Sequence, residues 1–406
     1  MNRTSGLCYA ARRTMSCCAL AILFEMSFST YAFSLMVDNG QTQQPASVAS
    51  QMVPMPVTNP SFLRVSHKNI VLSLSTFDIV INAGPTLAGN APALAAFNRA
   101  AQQWEAFIAD PITVTIDADL GMLDAGILGG TDPVLLFDTF DVIRNAMADD
   151  AADNETDDSI VSSLPNSSQY VAFVPTGFGF NGDLSLTKAN AKALNFDNRF
   201  GDLDAQFGVA DAEIIFSSTF AFDFDNSDGV TPGTFDFETV ATHEIGHVLG
   251  FLSDVDFVDF VLDLGETSTD ITPTTLDLFR FESGTNPSSP AEFTNTPRWM
   301  VPGFNAIFDQ IDGSFGGDAE VLMATGLNFG DGRQASHWKD GLSLGIMDPT
   351  LSFGEISPIR PNDLRALDLI GYEISIPEPA SLILLLGISC FATGLRTPGL
   401  IETASR

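Results

Sequence analysis

The stretch Thr242-His243-Glu244-Ile245-Gly246-His247-Val248-Leu249-Gly250-Phe251 decides how the rest of the chain is read. Two histidines four residues apart on a helix project from one face, one turn above the other, so both imidazoles can reach a single ion. Glu244 stands beside that ion without having to bind it. In this H-E-x-x-H arrangement histidines hold zinc and the glutamate serves as general base. Zinc lowers the pKa of bound water to about 7, which provides a nucleophile at neutral pH. Local signals agree with a helix. Asp236 is placed to cap its start, Glu238 falls in the first turn, and Gly250 is placed to end it. Val240, Ile245, Val248 and Leu249 give it apolar surface to bury.

Histidine is scarce. The chain has only His67, His243, His247 and His337, so half of its imidazoles fall in one motif. A third ligand must come from outside the motif: His337 and His67 lie far away in the chain, and the carboxylate of Asp254 follows the helix closely.

The composition bounds the rest. With 406 residues the chain has room for one large domain or two, and its apolar content supports a packed core. The formal net charge of −33 argues against nucleic acid as a partner, because phosphates need Lys and Arg. Such acidity suits an extracellular protein that meets cations.

Residues 1–32 read as a signal peptide, with Arg3, Arg12 and Arg13 before the apolar stretch Met15 to Phe28, and Thr30-Tyr31-Ala32 as a cleavage site. Residues 33–69 read as an extended N-terminal segment, residues 70–375 as the catalytic domain and residues 376–406 as a separate tail. Cys8, Cys17 and Cys18 lie in the leader and Cys390 in the tail, so residues 33–375 contain no cysteine. That excludes disulfides, a thiolate metal site and a cysteine nucleophile from the body.

Along the body, Ile70 to Asn82 reads as a strand, Ala91 to Ala109 as a helix with Trp104 in its core face, and Ile112 to Ile116 as a second strand. Phe137 to Asp149 and Gly182 to Asn195 read as helices. Ala212 to Ala221 reads as a strand shortly before the histidine helix, placed as an edge along which an extended peptide could pair. Asp223, Asp225 and Asp228 put oxygen ligands in the loop after it, as calcium requires, but Gly229 is one place late for an EF-hand and no distal glutamate fits. A solvated turn is the preferred reading there. Val255 to Glu266 and Thr275 to Glu282 are acidic and apolar, the second a strand, and Ser283 to Pro297 is a loop. Asn362 to Tyr372 reads as a capped helix stopped by Gly371.

Three separated pieces, His243-Glu244-x-x-His247-x-x-Gly250-Phe251, Ser336-His337-Trp338 and Met347, resemble the leishmanolysin-like branch of the metzincin zinc peptidases. The resemblance implies an α+β fold. Its N-terminal subdomain would hold a twisted sheet and the active-site helix, and its C-terminal subdomain would be largely irregular with a Met-turn. It implies zinc ligands at His243, His247 and His337, a general base at Glu244 and a supporting turn at Met347. The chain departs from the pattern in having Ser253 six residues after His247, and no tyrosine close after Met347. At the other end, Pro377-Glu378-Pro379, an apolar run to Leu395 and Arg396 resemble a PEP-CTERM sorting tail. That resemblance implies export in a Gram-negative bacterium, an exosortase as partner and transient membrane association through the tail. The expected function is a secreted or surface-sorted zinc endopeptidase acting on peptide or protein substrates. The alternatives are a non-catalytic matrix or surface-binding protein with a structural zinc, and zinc hydrolysis of a non-peptide bond.

Overall fold

The computed structural model describes residues 33–38, 47–56, 77–154, 158–285, 287–309 and 320–375. The leader, His67 and the sorting tail lie outside the described residues, as does the first part of the expected strand from Ile70. The described chain is α+β, with several small sheets around one larger one. No helix among the described residues is long and apolar enough to cross a membrane.

The short strands β1 (Met36–Val37) and β2 (Ser50–Pro54) come first. The larger sheet is then built from β3 (Asp78–Ala83), β4 (Thr113–Gly121), β5 (Gly129–Pro133) and β6 (Ala212–Ser217). Its order is β3-β4-β6-β5. β3 runs parallel to β4 with Ile79 opposite Val114, and β4 runs parallel to β6 with Ala118 opposite Ile214. β5 closes the sheet antiparallel, with Thr131 opposite Ile214.

Two helices cover this sheet, α1 (Ala91–Glu105) and α2 (Phe237–Leu249). Alternate residues of a strand share a face, so Ile214 and Phe216 look the same way. The ring of Phe216 meets Phe97 of α1 at 5.0 Å and Phe237 of α2 at 4.6 Å between centroids. Trp104 is fully buried in this seam, and its indole N–H donates to the carbonyl of Thr242 at 2.9 Å. One side chain thus fills the core and fixes α1 against the helix that carries the histidines. Truncation of a buried tryptophan costs about 3–5 kcal/mol. At the outer end of the seam, Arg99 pairs with Glu238 at 2.8 Å and Gln103 donates to the same carboxylate.

After α2 the chain forms α3 (Val255–Asp263), a set of short strands and loops, the two-residue strand β7 (Thr350–Leu351) and α4 (Pro361–Leu369). α4 ends before Gly371, and Asn362 lies inside it rather than at its cap.

The structure corrects several local expectations. β6 is not an edge, because β4 and β5 flank it; the edge beside α2 is β5. Within Gly182 to Asn195, residues Asp183–Thr187 form a strand, in which Leu184 and Leu186 are buried, and the helix starts only after Thr187 caps it. Phe137 belongs to a strand, Leu135–Thr139, with the helix following at Phe140–Asn154. Thr275 to Glu282 is a 3-10 turn followed by the short strand Arg280–Glu282, and the loop after it contains the helix Pro290–Asn295. The segment after the expected leader is paired as well: β1 joins β7 in parallel, and β2 joins Val171–Pro175 antiparallel.

Candidate metal centre

α2 begins and ends on its own residues. The side chain of Asp236 accepts the N–H and the hydroxyl of Thr239 at 2.9 and 2.6 Å, and Gly250 closes the helix with φ of 116°. Apart from Glu238, every residue between these ends is buried, so their polar side chains must be satisfied inside the protein.

The structure brings His243, His247 and His337 together. Their Nε2 atoms form a nearly equilateral triangle with sides of 3.1, 3.2 and 3.2 Å. Ligands about 2.0–2.1 Å from one tetrahedral ion stand roughly 3.3–3.4 Å apart, so the triangle has the size that zinc requires. The other ring nitrogens are committed elsewhere. Nδ1 of His243 donates to the Ile346 carbonyl at 2.8 Å, that of His247 to Phe251 at 2.9 Å and that of His337 to Gln334 at 3.0 Å. Each bond selects the tautomer with its proton on Nδ1 and leaves the Nε2 lone pair facing the centre. Burial lowers the pKa of His243 to about 4 and holds those of His247 and His337 well below the usual imidazole value. The three rings are therefore neutral at neutral pH, the form in which imidazole binds a metal. Three converging lone pairs repel one another, and a shared cation resolves that conflict. The donor set fits zinc.

Glu244 is also fully buried. Its Oε2 accepts the hydroxyl of Thr131 at 2.6 Å, and its Oε1 accepts the N–H of Leu35 at 3.1 Å. Burial pushes its carboxyl up to about 8, against the opposing effect of these two bonds. The edge strand touches it directly, since a Cβ on Gly129 would stand 2.9 Å from Glu244 Oε1.

Met347 lies buried against α2, and a Cβ on Gly246 would collide with its sulfur. The turn that carries Met347 hangs on Asp363 of α4. That carboxylate accepts the N–H of Ile346 at 2.8 Å, of Met347 at 3.3 Å and of Arg360 at 2.7 Å. The backbone of Trp338, next to the third histidine, donates to the Met347 carbonyl at 3.0 Å. Asp256 of α3 holds the other side of the His337 loop by accepting the N–H groups of Ala335 and Ser336 and the Ser336 hydroxyl.

Sequence reasoning missed Thr131, Asp256, Gln334 and Asp363. Asp363 carried a signal, an acid in the first turn of a helix, but that signal points only to a cap. The other three depend on tertiary approach and carry none. Asp254 lies apart from the triangle and accepts the Thr272 N–H at 2.9 Å. Asp223 accepts from Thr231 and from the Asp225 N–H, and Asp225 accepts from Ser227, while Asp228 sits exposed in the same turn. These carboxylates serve their own loop. Among the described residues the histidines are the one group of three or more metal-ligating side chains drawn together.

Comparison with known proteins adds no relative: no protein-family model matches the chain, and no curated protein or solved structure is significantly similar to it.

Proposed function

We propose that this chain is a zinc-dependent endopeptidase with a metzincin-like catalytic domain, exported and sorted through its tail. The observation that carries this reading is the triangle of three neutral Nε2 atoms, His243, His247 and His337, on the helix and loop flanking Glu244. Zinc held there would act as a Lewis acid on a carbonyl and activate water at neutral pH.

The chain's own residues account for the rest. The three backbone carbonyls hold each imidazole in one tautomer and one orientation. Thr131 fixes one oxygen of Glu244 and leaves the other directed at the backbone passing over the site. Glu244 takes the proton of the attacking water and delivers it to the leaving nitrogen. Met347 and the surrounding apolar side chains exclude water from beneath the histidines.

One observation favours a second reading, a matrix or surface-binding protein with structural zinc: all four site side chains are 0 % exposed. Glu244→Gln separates the two. The variant is expected to keep stoichiometric zinc and to hydrolyse a peptide library roughly 10²–10⁴-fold more slowly than the unaltered chain. Equal rates in the two proteins would remove Glu244 from the mechanism. Zinc in both with no peptide cut by either would favour the structural reading.

A further inference from the structure

The backbone of residues 33–38 crosses the site as an added strand. On one side it pairs antiparallel with the edge strand β5 and the turn before it. Phe33 and Thr131 exchange N–H bonds at 3.0 and 2.8 Å, Leu128 donates to the Leu35 carbonyl at 2.9 Å, and Val37 donates to Gly126 at 2.8 Å. On the other side it runs along the turn after Met347, where Met36 donates to Pro349 at 2.9 Å and Asp38 to Leu351 at 3.0 Å. The two remaining N–H groups go to side chains of the site. Ser34 donates to Gln334 Oε1 at 3.0 Å, and Leu35 donates to Glu244 Oε1 at 3.1 Å. Every N–H from Phe33 to Asp38 is thereby bound. The ring of Phe33 lies 5.3 Å from that of His247, and the side chain of Leu35 is buried.

We propose that the groove between β5 and the Gln334–Leu351 side is a binding site for an extended peptide, and that residues 33–38 occupy it as a tethered, substrate-like ligand. The inference rests on the peptidase reading for its consequence, not for its geometry. Strand addition accounts for the affinity, since main-chain bonds run along both sides of the segment, and buried side chains account for selectivity. The register follows from Glu244. The oxygen that Thr131 does not hold must face the nitrogen of the bond that is cut, and here it accepts the N–H of Leu35. A competing peptide therefore places a small residue where Ser34 lies and an aliphatic residue where Leu35 lies. Gln334 is the positioning residue: its side chain holds Ser34 while its carbonyl holds His337. A tethered segment competes at millimolar effective concentration, so an external peptide binds weakly until the segment is displaced.

The test uses the full zinc-loaded chain and a fluorescein-labelled peptide with the sequence of Phe33 to Asp38. Leu35→Pro removes the N–H that meets Glu244, and Ser34→Pro removes the one that meets Gln334; circular dichroism establishes which variants fold. A folded variant is expected to bind the labelled peptide at least about tenfold more tightly than the unaltered chain. A peptide with glycine in the leucine position is expected to lose at least about tenfold of that gain. Binding equal to that of the unaltered chain in a folded variant overturns the inference, and so does measurable hydrolysis of library peptides at the same rate by both. Gained binding with no hydrolysis by any form leaves the groove standing and overturns the peptidase reading instead. If neither proline variant folds, the unlabelled peptide at millimolar concentration is tested on the unaltered chain. Protection of the 33–38 amides from hydrogen exchange must then fall; unchanged protection overturns the inference.

Discussion

The indole N–H of Trp338 donates to Asp363 Oδ1 at 2.8 Å, which ties the residue after the third histidine to the helix that holds the methionine turn. Asp363 also receives Ile346 N–H, and the Ile346 carbonyl orients His243. One buried carboxylate thus stands behind two of the three imidazoles, although it touches neither. Its pKa is pushed up to about 6 by burial, with the four donors acting in the opposite direction.

Asp363→Ala leaves those buried donors without an acceptor. Each such group costs about 1–3 kcal/mol, with overlap among neighbours, so the expected loss is roughly 2–4 kcal/mol in urea unfolding. Zinc affinity should fall about 10–100-fold, as for other partners that orient a ligand. A variant with lowered stability and unchanged zinc affinity would show that Asp363 serves the fold alone.

The third ligand separates by a paired substitution. His337→Ala removes an Nε2 that lies 3.1 Å from its neighbour and should weaken zinc by more than the roughly 10–100-fold that orienting partners contribute. Asp254→Ala removes an acceptor of Thr272 N–H and should cost about 1 kcal/mol of stability with zinc retained. Competition with a chromophoric chelator measures both. Tight zinc in the histidine variant together with loss in the aspartate variant reverses the assignment.

Much of the centre was legible because its signals are local. The start of α2 at Asp236 and its end at Gly250 are matters of a side chain three residues from its target and a left-handed backbone. Trp104 could be placed in the core from helical spacing alone. The edge strand could not. Its sequence, Gly129-Gly130-Thr131-Asp132-Pro133, has poor strand propensity, and it is a strand because β6 pairs with it and because Gly129 admits Glu244. Residues 33–38 likewise read only as part of an extended N-terminal segment. Their partners lie roughly 90 to 310 residues away, and no periodicity announces such pairing.

Gly246→Ala tests the contact beneath the histidines. In an ordinary helix interior this change stabilises by up to about 1 kcal/mol. Here the added methyl meets the Met347 sulfur, and overpacking of that kind costs about 1–3 kcal/mol. The expected sign is therefore destabilising. In the Met347→Ala background the same substitution should cost less, with a coupling of at least about 0.5 kcal/mol. Additive effects in that double-mutant cycle would mean that the two residues do not press on each other.

The last expectation concerns pH and a site remote from the metal. Asp110 joins α1's exit to the end of the described chain: its carboxylate accepts the N–H of Glu373 at 2.8 Å, and the carbonyl of Glu373 accepts from Ala109. Burial raises its pKa from 3.8 to about 8; the bond from Glu373 opposes this and the Glu373 charge adds to it. Between those values the folded protein keeps a proton that the unfolded chain releases. The folded state then binds more protons, so the contribution of Asp110 is fully present below about pH 4 and declines as pH rises towards 8. Asp110→Asn removes the titration and keeps an acceptor oxygen. Its stability relative to the unaltered chain should therefore increase with pH, by on the order of 1.4 kcal/mol for each unit crossed within the window at most. Urea unfolding of both proteins at pH 5 and pH 8 measures the difference. A gap that stays constant between the two, or widens towards acid, would show that Asp110 is ionised in the folded protein across the whole range.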